Sequence, residues 1–218
     1  MFQFFIEQFF QKKKKNIIVV NIGGISNFTF LNGKKTFFAS DIGPGNFLID
    51  QFCYKNFNKS YDLNGNLAKK GKIKFELIDL WLKNQIFFGK FPKSFDTQDF
   101  DFINFKNYKT HSAYDILRTL TFFSAKLISM IKMLINFKID SWVFSGGGVN
   151  NSLLMSDIKK LLINDKLSIS NALGYDSSFV ESAAFAYISI RTLKKLPSAC
   201  PETTGCMKKN ICGNIHIP

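Results

Sequence analysis

Residues 16–48 read NIIVVNIGGISNFTFLNGKKTFFASDIGPGNFL, and this stretch decides the fold. Asn16–Asn21 is a β-branched apolar run that stops at Gly23-Gly24, the pattern of a buried strand followed by a turn. Asn27–Leu31 predicts a second strand and Thr36–Ser40 a third, with Asn32-Gly33 between them as a type I′ hairpin turn. Three strands joined by tight turns form an antiparallel meander. Asp41-Ile42-Gly43-Pro44-Gly45-Asn46 then leads into Phe47, Leu48, Phe52 and Tyr54 at helical spacing. Pro and Gly at that junction predict a strand-to-helix turn with Asn46 near the cap.

Working outward, residues 58–110 are polar and aromatic with weak periodicity, and are expected to be an insertion. Within it, helical pieces are expected around Leu67–Leu82 and loops around Phe91-Pro92-Lys93-Ser94. Ile116, Leu120, Phe123, Leu127, Ile131 and Leu134 mark one face of a long helix. Ser141–Phe144 is a strand ending in Ser145-Gly146-Gly147-Gly148. A helix over Leu153–Leu162, a strand over Leu167–Ser170 and an Ala-rich helix over Phe179–Lys194 follow, and the tail from Leu196 reads as loop. The order β-β-β-α-(insertion)-α-β-α-β-α predicts an α/β, ribonuclease-H-like unit. That layout is a mixed five-stranded sheet with helices on both faces.

Composition limits the function classes. The chain has 218 residues, 46% hydrophobic and 21% charged, which excludes a disordered or collagen-like protein. The formal charge is +13, but Lys12–Lys15 is the one dense run. A solvated, lysine-biased surface is therefore preferred over a nucleic-acid or membrane partner. No stretch reaches the ~18 apolar residues of a membrane helix. The opening segment has its charges after its apolar part, the reverse of a secretory signal. Cys53, Cys200, Cys206 and Cys212 fit neither a disulfide framework nor a metal site, so free thiols in the cytoplasm are expected.

Three glycine turns follow three strand ends, at Gly23-Gly24, at Gly43 to Asn46 and at Gly146 to Gly148. Ligands of open α/β sheets bind beyond strand ends, where backbone N–H groups face anions and Gly lets phosphate approach. Nucleotide phosphate binding is the expectation, without a Walker A loop. Asp41 ends an apolar strand beside that region, placed to act as general base or to hold Mg²⁺. The plainer alternative for it is an Asx turn or a cap. Glu181, in the first turn of the Ala-rich helix, either serves a site or merely suits the helix dipole.

Asn21-Ile22-Gly23-Gly24-Ile25-Ser26-Asn27, Asp41 to Asp50, and Ser145 to Asn151 resemble the anhydro-N-acetylmuramic acid kinase family. Pro92-Lys93-Ser94, Glu181 to Ala186, and Thr203-Thr204-Gly205 resemble it too. The resemblance implies one half of an actin-like ATPase, the C-terminal half of the kinase over residues 16–218, with residues 1–15 a remnant leader. It implies a cytoplasmic enzyme of peptidoglycan recycling that uses ATP and Mg²⁺ on 1,6-anhydro-N-acetylmuramic acid, forming N-acetylmuramic acid 6-phosphate. Asp41 is implied as the base that activates water, and Glu181 as a sugar contact. Gly23 and Gly24 are implied at a phosphate turn and Gly146, Gly147 and Gly148 on the adenosine side, with Gly43, Gly45, Asn46 and Asn151 as further cofactor-binding residues. Members also carry an N-terminal half with a Gly-Thr-Ser-x-Asp-Gly turn, which this sequence lacks. A truncated kinase is therefore expected; the alternatives are one subunit of a split kinase with a separately encoded N-terminal half, and an inactive nucleotide-binding orphan half. A complete member is expected to be a homodimer. Ile42 replaces a common Thr, and Phe95-Asp96-Thr97 occupies a stretch where members carry an Arg, which implies a weaker hold on the sugar.

Overall fold

The computed structural model describes residues 15–33, 35–108, 110–173, 176 and 179–216, so the leader expected over 1–15 lies, apart from Lys15, outside the described residues. Five strands form one sheet in the order β3-β2-β1-β4-β5. They are β1 (Lys15–Ile22), β2 (Ile25–Gly33), β3 (Lys35–Pro44), β4 (Ser141–Ser145) and β5 (Leu167–Ile169). β1, β2 and β3 pair antiparallel, whereas β4 joins β1 in parallel and β5 joins β4 in parallel. This is the ribonuclease-H-like arrangement that the order of elements predicts.

β1 is the middle strand, and its sequence says why. Ile18, Val20 and Ile22 enter the main core while Ile17 and Val19 enter a second buried cluster with Leu31 and Val143. A strand buried on both faces reads as a continuous apolar run rather than an alternation.

The helices are α1 (Phe47–Phe57), α2 (Phe75–Leu82), α3 (Ala113–Leu134), α4 (Ser152–Leu161), α5 (Val180–Leu193) and the single turn α6 (Pro201–Thr204). Ser112 caps α3 by accepting from the Asp115 N–H at 3.1 Å, and Ile116, Leu120, Phe123, Leu127 and Ile131 are buried along it as predicted. Leu134 at the end of that face is 37% exposed.

Three expectations are corrected. The hairpin turn falls one residue later, because Asn32 pairs with Lys35 and the left-handed residue is Gly33 at φ 64°. Tyr54 is 69% exposed and lies off the buried face of α1, which Leu48, Ile49, Phe52 and Cys53 supply. The helical pieces expected around Leu67–Leu82 are present as the 3-10 turn Ala68–Lys70 and α2, with non-helical residues between them and a further 3-10 turn at Leu63–Gly65 before them. Buried Asp62 drives that outcome, because its carboxylate accepts from the Leu67 and Ala68 N–H groups at 2.8 and 2.9 Å and fixes a turn there. Lastly, the tail contains α6, with Pro201 in its first turn and Gly205 at φ 69° closing it. That Pro-start, Gly-stop pattern was present in the sequence.

Candidate functional site

The three glycine turns meet at the carboxyl edge of the sheet. The Gly45 N–H donates to the Gly24 carbonyl at 2.8 Å, Asn46 N–H to Gly23 at 2.8 Å and Phe47 N–H to Gly24 at 3.1 Å. The second turn therefore braces the first, and its amides are engaged by protein rather than left for a ligand. A Cβ on Gly45 would overlap the Gly23 carbonyl and Ser26 Oγ, so no side chain fits where the two turns cross. Gly45→Ala is expected to lower stability by about 2 kcal/mol through forced backbone movement. A urea midpoint equal to that of the parent would show that the turns tolerate separation.

Gly146 closes the third turn onto the same edge at φ 84°, and a Cβ there would lie 2.5 Å from Asn21 Oδ1. Gly148 packs against Ile22. Gly147 has open space where a Cβ would project, which leaves its backbone approachable. Asn151 caps α4 by accepting from Leu154 N–H at 3.1 Å. Asn46 occupies the N-cap position of α1 without a side-chain capping bond. Gly43, by contrast, is a packing residue held between Leu127 and Phe87. Ser26 Oγ is fully buried beside Gly45 and has no hydrogen-bond partner among the described residues.

Asp41 is half-buried on β3, opposite Asn27 of β2. The segment 93–95 runs alongside and holds it. The Asp41 N–H donates to the Lys93 carbonyl at 3.0 Å, Lys93 N–H to Ser40 Oγ at 2.8 Å, and Phe95 N–H to Asp41 Oδ2 at 2.8 Å. Oδ1 has no protein donor among the described residues. Burial pushes the Asp41 carboxyl above the ordinary carboxylate value, against the opposing pull of the Phe95 N–H. Asp41, Asn27, Lys93, Ser94, Thr203 and Thr204 all line a cavity of about 400 Å³. Lys93 Nζ is itself tied to the Ile86 and Phe88 carbonyls, both at 2.6 Å, and burial lowers its pKa. Its ammonium fixes the segment, which in turn fixes Asp41.

Among the residues predicted for the site, those of the three glycine turns gather at one edge. Asp41 stands on β3 just before its turn. Glu181 lies in the first turn of α5, and its side chain is outside the described residues. Thr97 starts a 3-10 turn capped by Asp96, whose carboxylate accepts from the Thr97 N–H at 2.6 Å. Reading the motifs for catalytic residues missed Ser40 and Phe95 as positioning partners of Asp41. No local signal marks them, because the contacts span more than fifty residues.

Strand order and the clustered glycine turns define a ribonuclease-H-like α/β unit whose glycine turns gather at one edge of the sheet. The chain belongs to the anhydro-N-acetylmuramic acid kinase family, whose model matches residues 1–218. A relative of that name from Rhodopseudomonas palustris is 35% identical over 187 residues, covering 86% of this chain and 50% of the relative. One from Clostridioides difficile is 34% identical over 218 residues, covering 94% of this chain and 56% of the relative. The chain thus spans about half the length of the curated relatives it matches. Among solved structures it is similar to the activator of the 2-hydroxyisocaproyl-CoA dehydratase from Clostridium difficile with bound ADPNP. That likeness has TM-score 0.49 and 12% identity, over 84% of this chain and 63% of the other.

Proposed function

We propose that this chain is the base-bearing half of an ATP-dependent kinase that opens 1,6-anhydro-N-acetylmuramic acid with water and phosphorylates its O6, within cytoplasmic peptidoglycan recycling. The observation that carries the reading is the Asp41 carboxylate, with Oδ2 pinned by the Phe95 N–H, Oδ1 without a donor among the described residues, and the residue itself lining a cavity with Asn27, Ser94, Thr203 and Thr204.

In the reaction, water forms a bond to C1 of the sugar and passes one proton to Asp41 Oδ1. The C1–O6 bond breaks, and O6 takes the γ-phosphoryl group, so that N-acetylmuramic acid 6-phosphate and ADP leave. ATP carries Mg²⁺ on its phosphates and supplies the group that O6 accepts. The turn at Gly23-Gly24 fits a phosphate wall. Gly24 is exposed, and the Ser26 hydroxyl, without a partner among the described residues, is buried beside Gly45. Gly45 and Asn46 act by bracing that turn, and Gly43 by packing against Leu127 and Phe87. Gly146, Gly147, Gly148 and Asn151 form the adenosine side, and Glu181 is assigned to the sugar by its match to the family motif alone. Phosphoryl transfer depends on positioning and charge neutralisation. Because the relatives are about twice as long, the opposite wall belongs to the half they hold outside the matched stretch.

A split enzyme is the second reading, favoured by that half-length match. The test is a coupled ADP-release assay with ATP, Mg²⁺ and the anhydro sugar, run on the chain alone and with the unmatched half of the Clostridioides difficile relative added. Sugar-dependent ADP release in the first arm supports a kinase that works alone. Release in the second arm alone supports the split form. No sugar-dependent release in either arm overturns the kinase reading and leaves a nucleotide-binding half without turnover.

A further inference from the structure

A second cavity of about 460 Å³ opens beside the Gly147 turn, lined by Asp50, Tyr61, Leu63, Asn64, Gly147 and Asn150 among others. Two elements far apart in the sequence build it. One wall is the first turn of α1, which carries Asp50. The other is the loop at 61–64, held on α4 by the Ser152 hydroxyl, which donates to the Asn64 carbonyl at 3.0 Å. Asn64 is left-handed at φ 55°, so the loop has a defined shape at this point.

The acceptors around the cavity differ in availability. Asp62 has both carboxylate oxygens engaged by the Leu67 and Ala68 N–H groups. Asn151 Oδ1 is engaged by Leu154. The Asp50 carboxylate has no donor among the described residues, and burial pushes it up to about 6. Tyr61 and Leu63 are 57% and 59% exposed although both are large and apolar. The site thus offers one unengaged carboxylate, one open aromatic face and an approachable Gly147 backbone. That set matches a polar hydroxylated ring joined to a flat heterocycle.

We propose that Asp50 and Tyr61 are specificity-determining residues for the nucleoside part of the nucleotide, Asp50 accepting hydrogen bonds from the ribose hydroxyls and Tyr61 stacking on the base. This inference rests on the nucleotide-binding part of the reading above. It assigns ribose recognition to α1 and base contact to the segment between α1 and α2, opposite the Gly146–Asn151 turn that forms the other side.

The experiment is calorimetric titration of the chain with ATP, 2′-deoxyATP and 3′-deoxyATP, with thermal melts of each variant. The parent is expected to bind ATP about tenfold more tightly than at least one deoxy analogue, the scale of one hydrogen bond to a charged group. Asp50→Ala is expected to weaken ATP about tenfold and erase that preference. Tyr61→Ala is expected to weaken all three nucleotides alike. Asp50→Asn controls for folding: the raised Asp50 pKa means that its ionised form opposes folding near neutral pH, so this variant is expected to melt no lower than the parent at pH 7.5. Equal binding of ATP and both analogues by the parent, or a preference retained in Asp50→Ala, overturns the assignment while leaving nucleotide binding intact. Failure of the parent to bind ATP overturns the nucleotide reading itself, and this assignment with it.

Discussion

Asp41→Asn is expected to lower sugar-dependent ADP release by roughly 10²–10⁴-fold, the usual contribution of a positioned general base, with the fold intact. Asn keeps the acceptor oxygen for the Phe95 N–H, so the 93–95 segment stays in place and only proton uptake is lost. The pH dependence supplies a second readout. Burial raises the Asp41 pKa from its ordinary value of 3.8, so the acid limb of kcat/KM should lie above the normal carboxylate range and vanish in the variant. The stability sign is opposite to that of a salt-bridged carboxylate. The folded state holds this proton more tightly than the unfolded chain does, so stability falls as pH rises from 3.8 through the raised folded value. At neutral pH the Asn variant should therefore melt at or above the parent temperature. A variant that loses activity together with several degrees of melting temperature would assign Asp41 a structural role instead.

The largest expected stability effect belongs to Arg118. Its guanidinium makes a two-pronged contact with Asp157, Nη1 to Oδ2 at 2.6 Å and Nη2 to Oδ1 at 2.9 Å, joining α3 to α4. The side chains are only 12% and 2% exposed. Arg118→Met leaves Asp157 buried without its counter-charge, which costs about 3–5 kcal/mol and lowers the melting temperature by roughly 10 °C in a chain of this size. Arg118→Met combined with Asp157→Leu should recover most of that loss, because no charge then remains buried. A fall of less than about 2 °C in the single variant would mean that the pair behaves as a surface contact. Since α4 begins at the Gly146–Asn151 turn, the single variant should also weaken nucleotide binding.

The meander and the two parallel additions were legible because they rest on local patterns. A four-residue β-branched run, two further strands and three glycine stops are each set by residues within a few positions of one another. The glycine turns were legible as a class for the same reason. What each glycine does was not. Gly24 faces outward, Gly45 crosses the Gly23 carbonyl, and Gly43 packs on Leu127, yet all three look alike in the string. Asp62 and Asp50 are likewise two ordinary loop and helix carboxylates by sequence, and opposite in state by structure. One has both oxygens on backbone amides and the other has no donor among the described residues. The turn α6 carried a readable Pro-start and Gly-stop signal that an isolated tail gives little reason to weigh.

By itself, then, the sequence determined the order of strands and helices, the edge at which the glycine turns gather, and the family. It could do so because turn chemistry and hydrophobic period act over a few residues. Only the tertiary structure decided which oxygen of Asp41 is free, which carboxylate of the second cavity is unengaged, and that residues 93–95 and 61–64 line the two cavities. The hold on Asp41 and the placing of 61–64 depend on hydrogen bonds that span more than fifty positions, and the state of Asp62 depends on how the turn after it folds back onto its carboxylate. Nothing in the local sequence carries their distances or their burial.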